Sequence, residues 1–400
     1  MSERLYYNDS YLFEFEAKVE SVVKEDSIYK IILDRSAFYP ESGGQNHDTG
    51  TLDNKTVIAV FPGDDDQVVH HCEKWEADKG QRIVGKIDIK RRFANMRKHT
   101  GQHILSQAFL RVASAETVGA HLGETESTIE LASLNISSDN LRDAEFMTND
   151  IIMRNLPVKI FYSEYEKLAD LGVRRIPERR GQFRLIGIGD FELTACGGTH
   201  CGFTGEIGSL KIIGSEKIRN HTRITFLCGH DAASDYYLKN EVVEKLTCRF
   251  TCHFSSLENS VIKLHEHNEN LRKEISRLQK ELLPYQIKEL KDGAVEISGI
   301  RIISKVYSDY DFRSLKDLAL SISKAVKSIV LFYIDDKLII SVSDGIDKDA
   351  SFLSRLFIDN FGGRGGGNPV IAQVGRIADE NIDSMMAEFT ELIRRKINRE

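Results

Sequence analysis

The segments His99-Thr100-Gly101-Gln102-His103 and Cys196-Gly197-Gly198-Thr199-His200 decide the interpretation of this chain. Together they supply three imidazoles and one thiol, a ligand set that suits Zn²⁺. If the first segment is helical, its two histidines stand at positions i and i+4 and leave the same face of the helix. The two glycines of the second segment permit a tight turn that brings its cysteine and histidine together.

Each half of this motif also has an ordinary structural explanation. Two histidines at this spacing are more often structural than metal-binding, and a lone cysteine with a histidine four residues later is weak evidence. Both halves in one domain indicate a zinc site with one ion per chain, formed by His99, His103, Cys196 and His200. Four protein ligands favour a closed structural site, whereas a hydrolytic site needs a position for water, so both alternatives stay open.

The composition is that of a globular chain with two or three domains: 400 residues, 41% hydrophobic and 29% charged. The formal net charge of −7 argues against unspecific adhesion to nucleic acid. Basic clusters occur at residues 90–98 and 174–180, and each is either a local binding patch or a solvated charged face.

Cysteine content and hydropathy predict the compartment. Six cysteines are too few for a disulfide scaffold of this length, which predicts a reducing, cytoplasmic location. No apolar run of about eighteen residues is present, so no transmembrane helix is predicted. The first residues lack a basic region followed by an apolar core, so no signal peptide is predicted.

The order of strand and helix patterns predicts an α+β multidomain protein. Residues 1–90 carry short alternating segments separated by glycine turns and should form a small β-barrel or sandwich. Residues 91–230 mix both patterns and should form an α+β zinc domain. Residues 231–290 should be helical with a coiled coil, and residues 294–400 should be a C-terminal α/β domain.

The same patterns predict the bounds of individual elements. Helices are predicted at Ile89–Ala113, 139–154, 315–326, 348–359 and Ile382–Ile397. Strands are predicted at 14–23, 27–33, 56–61, 83–89, 127–134, 158–162, 184–188, 207–213, 223–228, 299–306, Ser328–Ile334, Lys337–Val342 and 370–374.

The clearest periodic pattern is a heptad repeat in the helical segment. Its a and d positions are Leu257, Val261, Leu264, Asn268, Leu271, Ile275, Leu278 and Leu282. One asparagine at an a position fixes register in two-stranded coils. The partner is either the helix at 232–250 or the same helix of a second subunit, which we favour because the upstream helix has no comparable heptad. Pro284 should stop or kink the helix.

Three other motifs admit both a structural and a ligand-binding explanation. Residues 38–50 (FYPESGGQNHDTG) form either a turn between strands or a loop that presents backbone N–H groups and the Gln45 amide to a ligand. An isolated histidine such as His121 is more often a half-buried structural residue than a catalytic group. The segment 362–367 (GGRGGG) is either a flexible connection or a phosphate-binding loop with Arg364. It lacks the lysine of a P-loop, so a nucleoside triphosphatase is not expected.

The order of these motifs resembles a known family. Residues 38–50, the two metal motifs, His121-Leu122-Gly123-Glu124 and residues 218–229 (IRNHTRITFLCG) occur in the same order in alanyl-tRNA editing proteins of the AlaX type. They also mark the editing domain of alanyl-tRNA synthetases, and residues 362–375 (GGRGGGNPVIAQVG) look like the C-terminal domain of those enzymes. The resemblance covers essentially the whole chain and matches the long form of the family. It includes no aminoacylation domain, so the chain is not expected to charge tRNA.

The resemblance implies a trans-acting, zinc-dependent hydrolase that removes serine, and in some members glycine, wrongly attached to tRNA(Ala). It also implies the four zinc ligands named above and a homodimer formed through residues 257–282 and the C-terminal domain. The expected partner is mischarged tRNA(Ala), and no membrane association is expected.

The resemblance further suggests roles for single residues. Gln45 is expected in the ligand loop, and His121 near the scissile ester, where many synthetase editing domains carry glutamine. A site that hydrogen-bonds the serine hydroxyl can favour serine over the smaller alanine, and Thr100 and Thr117 are candidates for that contact. Contacts to tRNA or another ligand are expected at Gly43, Gly44, Arg223, Gly363, Arg364, Gly365 and Gly366.

A non-catalytic protein is the competing hypothesis. Four available ligands and a coiled coil also fit a tRNA-binding and dimerisation protein whose zinc is purely structural. A third hypothesis is a zinc hydrolase that acts on another aminoacyl ester.

Overall fold

A computed structural model describes residues 2–377 and 381–397, and the chain divides into two compact units, Met1–Phe254 and Ser255–Glu400. The helices of the first unit are α1 (Ile89–Ala113), α2 (Ser138–Met153) and α3 (His230–Phe250). Its strands are β1 (Glu3–Arg4), β2 (Glu14–Glu25), β3 (Ile28–Leu33), β4 (Arg35–Ser36), β5 (Gly50–Leu52), β6 (Lys55–Pro62), β7 (Val68–Cys72), β8 (Arg82–Ile87), β9 (Thr117–Leu122), β10 (Ser127–Leu131), β11 (Val158–Glu164), β12 (Gln182–Ile188), β13 (Glu192–Ala195), β14 (Leu210–Ile218) and β15 (His221–Cys228).

The first strands close into a small barrel in the order β2-β3-β7-β6-β5-β8. Strand β2 shows why: Phe15, Ala17 and Val19 alternate with exposed residues, so every second side chain enters the barrel core. The single tryptophan, Trp75, belongs to the same core. The expectation of a mixed α/β chain with a small N-terminal barrel is therefore confirmed.

Helix α1 follows the barrel directly and lies at the centre of the first unit. Asp88 caps it by accepting a hydrogen bond from the backbone N–H of Arg91, and Ser114 ends it in a left-handed conformation with φ 48°. The helix packs beside two sheets, β14-β15-β10-β9 and β11-β12-β13. Both of its histidines are buried, so they are not surface residues.

Several strand predictions need correction. The strand expected at 207–213 begins at Leu210, because Thr204–Ile207 form a 3-10 turn. Strands β5, β7, β9 and β13 were not predicted. Two of these carry residues of the site described below, and glycine in β9 and the short length of β13 weaken the alternating pattern that identifies a strand.

The second unit is a six-stranded sheet in the order β16-β17-β18-β19-β21-β20, in which β17 and β18 are parallel and the other pairs antiparallel. Its helices are α4 (Leu257–Asp292), α5 (Phe312–Ala325), α6 (Ala350–Phe361) and α7 (Ile382–Ile397). Its strands are β16 (Val295–Ile297), β17 (Ile300–Tyr307), β18 (Ser328–Ile334), β19 (Lys337–Val342), β20 (Arg364–Gly367) and β21 (Ile371–Gly375). The expected domain end at residue 400 lies outside the described residues.

One alternative of each of two predictions about the second unit is excluded. Helix α4 does not stop at Pro284 but continues to Asp292; Pro284 and Lys280, four residues earlier, are both exposed, where water can satisfy the carbonyl that loses its partner. The glycine-rich segment is not entirely a loop, since Arg364–Gly367 form edge strand β20. Among the described residues, every helix is too short or too polar to cross a membrane.

Candidate metal centre

The four residues of the split motif converge inside the first unit. The nitrogen and sulfur atoms of His99, His103, Cys196 and His200 that could bind a metal all lie within 4.8 Å of one another. The three imidazole ring centres are 4.3 to 4.9 Å apart. The structure therefore brings together residues that are 97 positions apart in sequence.

Two local features produce this convergence. Helix α1 places His99 and His103 one turn apart on one face. The loop after β13 passes so close to His99 that a Cβ atom on Gly198 would lie 2.1 Å from the Cε1 atom of that ring. Only glycine fits at this position, which explains the second glycine of the motif.

Two of the imidazoles have hydrogen-bond partners that fix their orientation. The Nδ1–H of His99 donates to Oε1 of Gln45 at 2.6 Å, because an amide oxygen can only accept. The hydroxyl of Thr100 donates to the Met96 carbonyl at 2.8 Å and therefore accepts from Nδ1–H of His200 at 3.2 Å. In both rings this leaves Nε2 without a proton, and each Nε2 lies 3.4 Å from Sγ of Cys196.

Residues 38–50 hold Gln45 in place. The backbone N–H of Leu122 donates to the Gly44 carbonyl at 2.7 Å, and a Cβ on Gly44 would lie 2.3 Å from the Ala120 carbonyl oxygen. The Gln45 amide is fully buried and also bonds both the backbone N–H and the hydroxyl of Thr199. These residues thus join the barrel to the cluster.

Arg184 of β12 fixes the loop that carries the cysteine. Its Nη1 donates to the carbonyls of Cys196 at 2.7 Å and Gly198 at 3.0 Å, and its Nε donates to the Tyr7 carbonyl at 2.9 Å. No sequence pattern indicates this role, because one arginine in an otherwise apolar strand has no distinctive spacing.

Burial favours the neutral forms of the four cluster side chains. Burial, assisted by the positive charge of Arg184, lowers the pKa of His99 to about 3. Burial likewise holds the pKa values of His103 and His200 well below the usual range, and it raises the pKa of Cys196 to about 11. Neutral imidazoles are the form that binds a metal, and the thiol must release its proton to do so.

The cluster fits a zinc ion. Zinc–sulfur and zinc–nitrogen bonds of about 2.3 and 2.0 Å at a tetrahedral angle separate the two ligand atoms by about 3.5 Å. The two measured sulfur–nitrogen separations are 3.4 Å. Three imidazoles and one thiol are also the ligand types that zinc prefers.

A cavity of about 440 Å³ opens beside the cluster. Three of the four cluster residues, His99, His103 and Cys196, contribute to its wall. Its other wall residues are Gly43, Gln102, Thr117, Val118, Gly119, Ala120, Arg174, Arg175, Pro177, Thr194, Ala195 and Gly197. The cluster is therefore open to a small ligand on one side.

The structure changes the interpretation of two predicted substrate contacts. The Thr100 hydroxyl is fully buried and is occupied by Met96, His200 and the Cys201 backbone N–H. Both ends of the Gln45 amide are likewise occupied by protein groups. Both residues orient cluster histidines instead of facing a ligand. Thr117, by contrast, lines the cavity.

Other predicted site residues are not part of the cluster or of its cavity wall. His121 is exposed and is not among the residues that line the cavity. Arg223 pairs with Glu130 at 2.7 Å and Glu216 at 3.5 Å. The second unit holds Gly363, Gly365, Gly366 and Arg364 on or beside edge strand β20, and Arg364 is exposed.

The basic cluster at 90–98 is only partly solvated, since Lys90 is exposed but two of its cations are buried. Arg92 is fully buried and Lys98 is 3% exposed, and both bind groups of the protein. In the cluster at 174–180, Arg174 donates to buried Glu192 at 2.8 Å. The sequence did not identify Glu192, four residues before Cys196.

Comparison with known proteins supports the resemblance seen in the motifs. Residues 2–91 match the family of class II (A) tRNA synthetases, and residues 183–225 match the threonyl and alanyl tRNA synthetase second additional domain. Alanyl-tRNA editing protein AlaX-L of Pyrococcus horikoshii is 29% identical over 94% of this chain and 95% of that protein. Alanine–tRNA ligase of Pyrococcus abyssi is 31% identical over 94% of this chain, which spans 42% of the ligase.

Among solved structures, the C-Ala domain from Aquifex aeolicus alanyl-tRNA synthetase matches 25% of this chain and 97% of that domain, at 21% identity. The TM-score of this match is 0.23. The sequence matches show similarity of this chain to an alanyl-tRNA editing protein and to part of alanine–tRNA ligases. Its recognition as a relative of AlaX-type alanyl-tRNA editing proteins, in their long form, is confirmed.

Proposed function

We propose that this chain is a zinc-dependent hydrolase that deacylates tRNA(Ala) carrying a wrong amino acid, with serine as the main substrate and glycine as a second one. The observation that carries the proposal is the convergence of His99, His103, Cys196 and His200 beside a cavity. Relatedness to an alanyl-tRNA editing protein along nearly the whole chain supports the same substrate class.

The four converging residues would hold one zinc ion. When bound, zinc supplies a Lewis acid that lowers the pKa of a bound water to about 7. Gln45 and Thr100 keep the Nε2 atoms of His99 and His200 directed at the centre. Arg184 fixes the loop that carries Cys196 by donating hydrogen bonds to two backbone carbonyls of that loop.

The cavity would receive the aminoacyl ester at the end of the tRNA. Water adds to the ester carbonyl carbon, the bond to the terminal ribose oxygen breaks, and that oxygen leaves with the proton. The products are the free amino acid and tRNA(Ala). Among the described residues, the cavity wall contains two arginines and no carboxylate, which suits the negative charge that develops on the carbonyl oxygen.

Thr117 is the residue that we propose for selecting serine. Its hydroxyl donates to Ser106 at 2.8 Å, which leaves its oxygen available to accept from the serine hydroxyl. A site that hydrogen-bonds a substrate hydroxyl discriminates strongly against an analogue that lacks it. Alanine lacks this group, although it is small enough to enter.

We also propose four functional regions: the barrel at 1–90, the zinc editing domain at 91–230, the helical segment at 231–290 and the C-terminal domain at 294–400. In the heptad seam of α4, the side chains of Val261, Leu264, Leu271, Ile275, Leu278 and Leu282 are 43–55% exposed. This exposure supports homodimerisation through residues 257–282 and the C-terminal domain. We propose that the tRNA is contacted at Arg223, at Arg364 and at the glycines beside Arg364. We also propose a cytoplasmic location.

A deacylation assay tests the proposal. Ser-tRNA(Ala) and Gly-tRNA(Ala) should lose their amino acids while Ala-tRNA(Ala) is spared, and chelation should stop the reaction until zinc is restored. Cys196→Ala should abolish it, whereas Cys248→Ala, at an exposed cysteine, should leave it unchanged.

One observation favours a second function. Four ligands can close a zinc site, which suits a tRNA-binding protein with structural zinc. Zinc-loaded protein that binds tRNA(Ala) but hydrolyses none of the three esters would establish this alternative instead.

A further inference from the structure

One of the three cluster imidazoles lacks the orienting hydrogen bond that the other two have. His99 has Gln45 and His200 has Thr100, but Nδ1 of His103 is buried and has no hydrogen-bond partner. A buried ring nitrogen without a partner is unfavourable. The group that faces it therefore decides how this ring is held.

That group is the carboxylate of Glu192. Its Oε1 lies 3.9 Å from Nδ1 of His103, and its other oxygen, Oε2, is also buried without a hydrogen-bond partner. The side chain of Glu192 is fully buried. Two unsatisfied buried groups of complementary chemistry thus face each other, and a small rotation of either side chain joins Nδ1–H to the carboxylate.

A second residue keeps Glu192 in this position. Nε of Arg174 donates to Oε1 of Glu192 at 2.8 Å, and the backbone N–H of Arg174 donates to the Leu193 carbonyl at 2.9 Å. The positive charge of Arg174 favours the ionised form of the buried Glu192 carboxyl group and holds this group beside the cluster. Arg174 also forms part of the cavity wall.

We propose that Glu192 is the positioning residue for His103: it accepts the Nδ1–H of this ring and directs Nε2 at the zinc of the proposed site. The inference rests on the metal centre of the proposed function and not on the reaction. Glu192 supplies the carboxyl group among the three orienting partners, since Gln45 supplies an amide and Thr100 a hydroxyl. A carboxylate partner makes the imidazole a stronger donor to the metal, and loss of such a partner weakens metal binding about 10- to 100-fold.

The test compares two variants of equal charge change. Glu192→Gln keeps the shape of the side chain and removes the charge. Asp190→Asn removes the same charge two residues earlier, at an exposed position. Zinc affinity is measured in the full chain by competition with a chromophoric chelator. Glu192→Gln should weaken zinc binding at least 10-fold, and Asp190→Asn should not change it; less than a threefold effect of Glu192→Gln would overturn the inference.

Two further measurements separate positioning from general stability. The absorption bands of the cobalt(II)-substituted protein report the ligand field, and Glu192→Gln should shift them while Asp190→Asn does not. If Glu192→Gln does not fold, nitrogen-15 spectra of histidine-labelled, zinc-loaded wild type give the answer without a variant. A protected Nδ1 proton on His103 is expected, and its absence beside visible signals from His99 and His200 would refute the proposal.

The outcome is independent of catalysis. Zinc affinity that depends on Glu192 in a protein without deacylase activity would keep the positioning role and reject the proposed hydrolase. If the protein deacylates tRNA(Ala) but Glu192→Gln leaves its zinc affinity unchanged, the proposed hydrolase is kept and the positioning role of Glu192 is rejected.

Discussion

Arg92 and Asp48 form an ion pair that is completely shielded from solvent. Nε of Arg92 donates to both carboxylate oxygens at 3.0 Å, and both side chains are 0% exposed. The guanidinium also donates to the carbonyls of Ser10 and Ala37. The pair joins the first turn of α1 to the segment 38–50 that supplies Gln45, and so connects barrel and metal cluster.

Arg92→Met should therefore destabilise the first unit strongly. Removal of one partner leaves a buried, unpaired carboxylate, which costs about 3–5 kcal/mol. The free energy of unfolding can be followed by the fluorescence of Trp75 in the barrel core. Arg91→Met is the matched control: its ion-pair partner Glu124 is 73% exposed and its bond to the His47 carbonyl is only part-buried, so the loss should be about 1 kcal/mol. Equal losses in both variants would contradict the argument.

Gly198→Ala should remove the metal centre. The new methyl group would lie 2.1 Å from Cε1 and 2.4 Å from Nδ1 of His99, so the ring or the loop must move. Gly197→Ala is the control, because its methyl group would come no closer than 3.4 Å to another atom, the Tyr7 hydroxyl oxygen. Zinc content per chain, measured by atomic absorption, should fall well below one for Gly198→Ala and stay near one for Gly197→Ala.

His70 should make the barrel less stable in acid. Burial lowers the pKa of His70 to about 4 from the usual 6.5. Between pH 6.5 and pH 4, His70 is therefore protonated in the unfolded chain but still neutral in the folded one. The folded state has its full stability above pH 6.5 and loses stability as the pH falls towards 4. This pKa shift corresponds to a loss of about 3 kcal/mol in the free energy of unfolding.

His70→Gln removes this titration and keeps polar atoms near Ser36 and the Ile31 carbonyl, the present partners of the ring. The free energies of unfolding at pH 7 and pH 4 should differ by less in this variant than in the wild type. The neighbouring variant His71→Gln, at a half-buried position, should change the difference less. An unchanged pH dependence in His70→Gln would show that this residue does not cause the effect.

The heptad seam of α4 should control the oligomeric state. Leu271→Glu with Leu278→Glu places charges at two d positions, whose side chains are 47% and 43% exposed in the single chain. Sedimentation equilibrium should give twice the chain mass for the wild type and one chain mass for this variant. Lys273→Glu with Lys280→Glu, at f positions of the same heptads, should remain dimeric. A monomeric wild type at micromolar concentration would rule out the coiled-coil dimer.

Sequence patterns predict the bounds of helices and strands best where burial and periodicity agree. Helix α1 has the predicted bounds because Asp88 caps it and its apolar residues repeat at helical spacing. Strands β18 and β19 have the predicted bounds because they are short, apolar runs limited by turn residues. Strand β9 could not be identified in this way, because Gly119 and two half-buried faces remove the alternating signal.

In the candidate site, too, some residues could be predicted from the sequence and others could not. Residue type and spacing were sufficient to select His99, His103, Cys196 and His200, because few side chains bind zinc and the structure brings all four together. Sequence could not show the direction in which Gln45 and Thr100 point, so both were assigned to substrate. Glu192 belongs to a different element from the histidine that it faces, and only the packing of β13 against α1 reveals the pairing.

The separation of the two halves of the candidate metal centre has a consequence during synthesis of the protein. Cys196 follows His99 by 97 residues. At about 5–20 residues per second, the ribosome needs roughly 5–20 s to deliver the thiol after the first imidazole. For that time the growing chain offers a histidine pair without its cysteine, a weaker and less selective site. We therefore expect the metal to be selected only after the thiol has been delivered, when the barrel and helix α1 have already left the ribosome.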